Sequence, residues 1–81
     1  MIMAKEIEFD LEVDASGLKC PLPILRAKKG LSQIQSGQVV KVVTTDPHAK
    51  EDFQAFSAQT GNELLVQQPS NDSLHHYLKK R

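Results

Sequence analysis

One sulfur atom dominates the chemistry open to this chain. Cys20 is its only cysteine, and it stands in the segment Asp14-Ala15-Ser16-Gly17-Leu18-Lys19-Cys20-Pro21-Leu22-Pro23. A thiolate is a strong nucleophile, and its reactivity follows ionisation and access. Pro21 biases Cys20 toward extended backbone and Pro23 does the same to Leu22. Pro23 also suits the first turn of a helix, where N–H groups have no intrahelical partner. The prolines therefore place the sulfur at a helix N-terminus, the positive end of the aligned peptide dipoles. Lys19 adjoins it, and Arg26 and Lys28 follow along the helix. All of these favour thiolate over thiol, so the expectation is a lowered Cys20 pKa. Lone cysteines are usually small buried hydrophobes. A strand-to-helix junction bracketed by prolines suits a presented nucleophile better than a packing residue.

Other chemistries find less support. His48, His75 and His76 with Cys20 offer metal ligands but no CxxC or HxxxH spacing. Neighbours such as His75 and His76 point to opposite faces of a strand. Solvated or half-packed histidines are the expectation, and no metal site is assigned. No glycine-rich phosphate loop is present.

The elements that must hold Cys20 follow from hydrophobic periodicity. Ile7, Phe9, Leu11 and Val13 alternate with acidic residues, which reads as a half-buried strand. Ile24, Ala27, Leu31 and Ile34 share one face of a helix that ends near Ser36-Gly37, with Gly37 as its cap. Gly30 inside that helix implies a close approach by another element. Val39 to Thr44 is a β-branched run, expected as a central strand. Asp46 and Pro47 suit the start of a second helix, on which Ala49, Phe53 and Phe56 face the core and Gly61 ends the element. Leu64–Gln67 reads as a third strand, Pro69–Ser73 as a loop and Leu74–Lys79 as a fourth strand. The order β-α-β-α-β-β requires one parallel pair and a closing antiparallel hairpin. The expected fold is an α/β (α+β) two-layer sandwich, a mixed four-stranded sheet with both helices on one face.

Length and composition set the frame. The 81 residues make one domain, residues 1–81. A chain of this size buries about 60–65% of its unfolded surface, so the core must be compact and, with few aromatics, aliphatic. Ten basic and ten acidic side chains balance, which argues against direct stable nucleic-acid binding through phosphate neutralisation. Local clusters remain: Arg26, Lys28 and Lys29, with Lys19 nearby, are candidate docking residues for a partner, set against the plainer reading of a solvated helix face. A single cysteine forms no internal disulfide, which fits a reducing cytoplasm. The N-terminus lacks the apolar stretch of a signal peptide, and no run is long enough to span a membrane.

The pattern D-x-x-G-x-x-C-P-x-P after a strand, with Thr45-Asp46-Pro47 before a second helix, resembles the TusA/SirA family of sulfur carriers. Ala27-Lys28-Lys29, Asp52-Phe53…Phe56 and Gly61-Asn62-Glu63-Leu64 extend the likeness from about Phe9 to the C-terminus. The resemblance implies the same β-α-β-α-β-β sandwich and a sulfurtransferase whose motif cysteine accepts sulfur as a persulfide. By that likeness Cys20 carries sulfane sulfur, Pro21 and Pro23 shape its loop, and Asp14 and Gly17 are framework positions. Asp46 belongs to a structural capping segment. The implied partners are a cysteine desulfurase or other sulfane-sulfur donor and a downstream acceptor protein, in tRNA thiolation, cofactor assembly or sulfur metabolism. No cofactor is implied beyond the transient persulfide on Cys20, and the expected state is a monomer. The alternative is a non-catalytic regulatory or protein-interaction module of the same fold. Two positions depart from relatives: Leu22 replaces the acidic residue that members serving tRNA thiolation often carry between the prolines, and Ser57 stands where some relatives have a second cysteine. Without an internal resolving thiol, release of sulfur should need a partner's thiolate.

Overall fold

The computed structural model describes residues 7–81. Six elements follow in order: β1 (Leu11–Ala15), α1 (Leu22–Ser32), β2 (Val39–Thr44), α2 (Ala49–Thr60), β3 (Glu63–Ser70) and β4 (Ser73–Lys79). The strands form one sheet in the order β1-β2-β4-β3. β1 pairs with β2 in parallel, and the β2–β4 and β3–β4 pairs are antiparallel. The two-layer sandwich expected from periodicity is the observed fold.

A single core joins the layers. Ala27 and Leu31 of α1 and Phe53 and Phe56 of α2 pack on Ala15, Val40, Val42 and Leu78 of the sheet. Val40, Val42 and Thr44 alternate with half-buried Val39, Lys41 and Val43, as period-two geometry requires of a strand with one face in the core. Gly30 marks where α1 lies closest to the sheet. A Cβ there would sit 2.8 Å from Val13 Cγ2 and 3.3 Å from Val40 Cγ2, so the bare backbone sets the helix–sheet distance.

Several boundaries differ from expectation. The first strand starts at Leu11, not Ile7. Phe9 belongs to the other face of the sheet: its ring centroid lies 6.3 Å from that of Tyr77, with the Lys41 ammonium 5.1 Å from it. Asp10 breaks the alternation by tying itself to β2. Its N–H donates to the Val39 carbonyl (2.7 Å), and its carboxylate accepts from the Val39 N–H (2.9 Å). Helix α1 ends at Ser32, before Gly37, in tightened i→i+3 bonds: the Gln33 N–H donates to the Gly30 carbonyl (3.0 Å) and the Ile34 N–H to the Leu31 carbonyl (3.3 Å). Gly37, at φ 89°, instead shapes the turn into β2 and donates its N–H to the Lys80 carbonyl at 2.8 Å. β3 continues through Pro69, which an edge strand tolerates. Only Asn71 and Asp72 then form the hairpin turn, with Asn71 at φ 55°.

His76 is the largest departure within the core. It is fully buried, whereas a solvated or half-packed ring was the expectation. Its imidazole stacks on Phe53, with centroids 4.1 Å apart and planes at 17°. The Gln67 amide group donates to Nδ1 at 3.1 Å, which leaves Nε2 to carry the ring proton toward Thr44 Oγ1 at 2.7 Å. Gln67 is itself bonded to Gln54 and to the Lys50 carbonyl, so the network ties β2, β3 and β4 to α2. Burial lowers the His76 pKa to about 4. The unfolded chain therefore binds one more proton than the native state between pH 6.5 and about 4. Stability from this group is complete above about pH 6.5 and falls as pH drops through that window, by about 3 kcal/mol in all. Urea midpoints measured from pH 7 to pH 4 should show this decline. A His76→Gln variant, less stable at pH 7, should show a flatter profile; an equal slope in both would assign the proton uptake elsewhere.

Candidate functional site

Strands β1 and β2 run parallel, so the loops leaving their C-terminal ends lie side by side, each leading into a helix. Cys20 sits in the first of these loops and Asp46 in the second. The first is held by hydrogen bonds at nearly every step. Asp14 Oδ1 accepts the Ser16 N–H (3.0 Å), and the Leu18 N–H returns to the Ala15 carbonyl (3.2 Å). The bonds from Ser16 hold the Asp14 carboxyl below the usual carboxylate range. Gly17 adopts φ 78°, a left-handed conformation that side chains disfavour, and its N–H donates to Thr45 Oγ1 at 2.8 Å. Pro21 sits at the N-cap, with the Cys20–Pro21 peptide cis, and Pro23 lies buried in the first turn of α1.

The two loops are joined at the cysteine. Asp46 Oδ2 accepts the Cys20 N–H at 2.9 Å, and its Oδ1 accepts the His48 N–H at 3.1 Å. These two backbone bonds, His48 first, lower the Asp46 pKa. The capping expected of Asp46 and the first-turn place expected of Pro47 are not observed: α2 begins at Ala49 with His48 at its N-cap and no side-chain cap bond, because the Asp46 carboxylate is taken by the Cys20 and His48 amides and fastens the cysteine loop to the residue before α2.

The Cys20 side chain is exposed. Its thiol is not tuned as the sequence suggested. The pKa is raised, first by a hydrogen bond to the Asp52 carboxylate, then by desolvation and by the charges of Asp52 and Asp46. The dipole and lysine argument fails because the fold brings the Asp52 and Asp46 carboxylates to bear on the thiol. Asp52 lies in the first turn of α2, and sequence reading used it only as part of a family pattern. The signal was available: a parallel β-α-β-α order brings the starts of both helices together, so acids at the head of α2 must approach a cysteine at the head of α1.

Cys20 opens onto a shallow groove of about 260 Å³ between the helices. Its walls are Pro21, Ile24 and Lys28 from α1 and its cap, and Asp52, Ala55 and Phe56 from α2. Of the four candidate docking residues, Lys28 alone lines this groove. Lys19 adjoins Cys20 in the loop. Arg26 and Lys29 line a separate groove of about 540 Å³ along β1, beside Glu12 and Asp14. Leu22 and Leu25, which periodicity did not mark for the surface, are 46% and 52% exposed near the cysteine. They give the tip of α1 an apolar character.

Comparison with known proteins finds relatives of this chain. The family described as "Sulfurtransferase TusA" matches residues 11–80. A sulfur carrier protein TusA of Allochromatium vinosum is 55% identical over 73 residues, covering 90% of this chain and 96% of that protein. A sulfur carrier protein TusA of Pseudomonas entomophila is 35% identical over 72 residues, covering 89% and 90%. Among solved structures, a SirA-like protein of Desulfitobacterium hafniense superimposes with a TM-score of 0.75 at 24% identity. That match covers 86% of this chain and 96% of the other, and it shows the shared fold.

The thiol's surroundings make a direct prediction. Alkylation of Cys20 by iodoacetamide, followed against pH, should have its midpoint above that of a free cysteine, about 8.5. Asp52→Asn should bring the midpoint down. A wild-type midpoint below the free value would mean that the helix dipole and lysines outweigh the carboxylates after all.

Proposed function

The chain belongs to the TusA family of sulfurtransferases, and on that premise we propose that Cys20 is its sulfur-bearing residue, holding sulfane sulfur as a persulfide. The loading partner is a cysteine desulfurase or an equivalent sulfane-sulfur donor, and the receiving partner is the next protein of a sulfur-transfer pathway. The observation that carries this reading is an exposed thiol whose backbone is pinned by Asp46 at 2.9 Å. The sulfur is open to visitors while its position is fixed. The exchange obeys thiol–disulfide logic, in which thiolate fraction, access and leaving group govern rate. The protein need not build a deep substrate pocket, because each partner brings the other half of the site.

Docking in this scheme uses the tip around Cys20. Exposed Leu22 and Leu25 offer apolar area that a partner can bury, and Lys19 and Lys28 offer charge. Arg26 and Lys29 face a different groove and are weaker candidates than their closeness in sequence implied. Since the chain has no second cysteine, the acceptor's own thiolate takes the sulfur. The setting we propose is the cytoplasm, where a reducing pool keeps a lone exposed thiol free, with the protein acting as a monomer. Among the described residues no helix is long and apolar enough to cross a membrane.

Incubation with a cysteine desulfurase and free cysteine, followed by intact-mass measurement, tests the proposal. The protein should gain one sulfur atom, lose it on reduction, and gain none as Cys20→Ser. Unchanged mass of the wild-type chain with several desulfurases and with polysulfide would overturn it and favour an interaction module.

A further inference from the structure

The sheet has two edges, and they are protected differently. β3, at one edge, carries Pro69 and a register shift between Leu64 and Val66. A proline and a bulge both hinder the addition of another strand. β1, at the other edge, is a regular strand of 5 residues with neither. A parallel pair engages the N–H and C=O groups of alternate residues, so an edge strand turns the remaining groups outward. Among the described residues no strand pairs with that outer side of β1.

The side chains along this edge are only partly covered. Leu11 and Val13 pack against the core yet stay half-buried, and both line the groove of about 540 Å³ beside α1. Arg26 and Lys29 stand on the helix side of that groove, and Glu12 and Asp14 on the strand. Period two directs Glu12 and Asp14 to the sheet face opposite Leu11 and Val13. Among the described residues none of these four charges is in an ion pair.

We propose that the outer edge of β1 is a docking site for an extended segment of a partner protein, which adds a fifth strand to the sheet. The charges specify that segment. Its side chains on the helix side cover Leu11 and Val13 and meet Arg26 and Lys29, so that row is apolar with an acidic residue. Its side chains on the open side lie beside Glu12 and Asp14, so that row is basic. Opposite charges on paired strands attract and like charges repel. A second copy of β1 is a poor occupant for that reason, since it brings Glu12 and Asp14 against their own kind. Backbone bonds hold such a segment and the alternating side chains select it, as in other strand additions. β1 leads from Ala15 into the loop that bears Cys20. A segment on this edge therefore tethers its owner to the strand that feeds that loop, and tethering raises the effective concentration of whatever the owner presents. The inference goes beyond the persulfide reading and stands without it, because binding at the edge requires nothing of the thiol.

The test is a titration followed by amide NMR signals and amide hydrogen exchange. The probe is a synthetic peptide of about six residues, an ordinary strand length, with the sequence Lys-Val-Lys-Glu-Lys-Val. It should shift the amide signals of Leu11–Ala15 and slow exchange of the outward β1 amides. The charge-reversed peptide Glu-Val-Glu-Lys-Glu-Val should bind about tenfold more weakly, the effect of a few cross-strand charge pairs. Glu12→Lys, at an exposed position, should narrow or reverse that preference. A probe N-methylated throughout has no N–H to donate and should not bind. Shifts confined to β3 or to the Cys20 groove would overturn the proposal. So would equal binding of the two peptides, binding that survives N-methylation, or no binding at millimolar peptide. A wild-type chain that dimerises with its β1 amides protected would overturn it too, and would give the edge to a second copy.

Discussion

The architecture of this site depends on one carboxylate. Asp46 receives the Cys20 N–H through one oxygen and the His48 N–H through the other, fastening the loop after β1 to the start of α2. Without that bridge the cysteine loop would keep one tie to the second loop, from the Gly17 N–H to Thr45 Oγ1 at 2.8 Å, three residues before the sulfur. With it, the backbone beneath the sulfur is anchored to an element packed through Phe53 and Phe56 into the core. Charge-assisted bonds of this kind are among the stronger hydrogen bonds. Both amides lie at element starts, where N–H groups would otherwise lack protein partners.

The rest of the fold serves that junction. The parallel β1–β2 pair sets the two loops side by side, and Gly30 lets α1 lie close enough to the sheet for its head to meet that of α2. On the far side of the core, the buried His76 network connects α2 to three strands, so the element carrying Asp52 is held at its side as well as its start. The thiol itself is left outside. Packing and hydrogen bonds are spent on the backbone around Cys20, and the side chain stays free for chemistry with another protein.

The element order, the sandwich and the exposure of Cys20 at a strand-to-helix junction were legible in the sequence, because hydrophobic periodicity and proline placement report local structure directly. Phe9 was misread because alternation cannot show where a chain crosses the plane of the sheet. Gly37 was misread because a left-handed residue serves a helix end and a turn into a strand equally well. The His76 misreading has a different cause: whether an imidazole is buried depends on partners such as Gln67 and Phe53, which no local pattern brings together. The electrostatics of Cys20 was missed for the same reason. Asp46 and Asp52 lie 26 and 32 residues beyond Cys20, and only the fold brings their charges to bear on it, so no reading of its neighbours in sequence could weigh them. The groove separates residues that sequence grouped, with Lys28 beside the cysteine and Arg26 and Lys29 on the β1 side.

A sulfur carrier of this design is a still backbone presenting a free side chain, and the mobility of the Cys20 amide reports on that directly. Its NMR order parameter should match rigid backbone, about 0.85, in the wild-type chain. In Asp46→Ala it should fall toward 0.6 or below, with the interiors of β2 and α1 unchanged. A Cys20 amide equally rigid in both proteins would contradict the account, since the loop would then owe its order to something other than the Asp46 bridge.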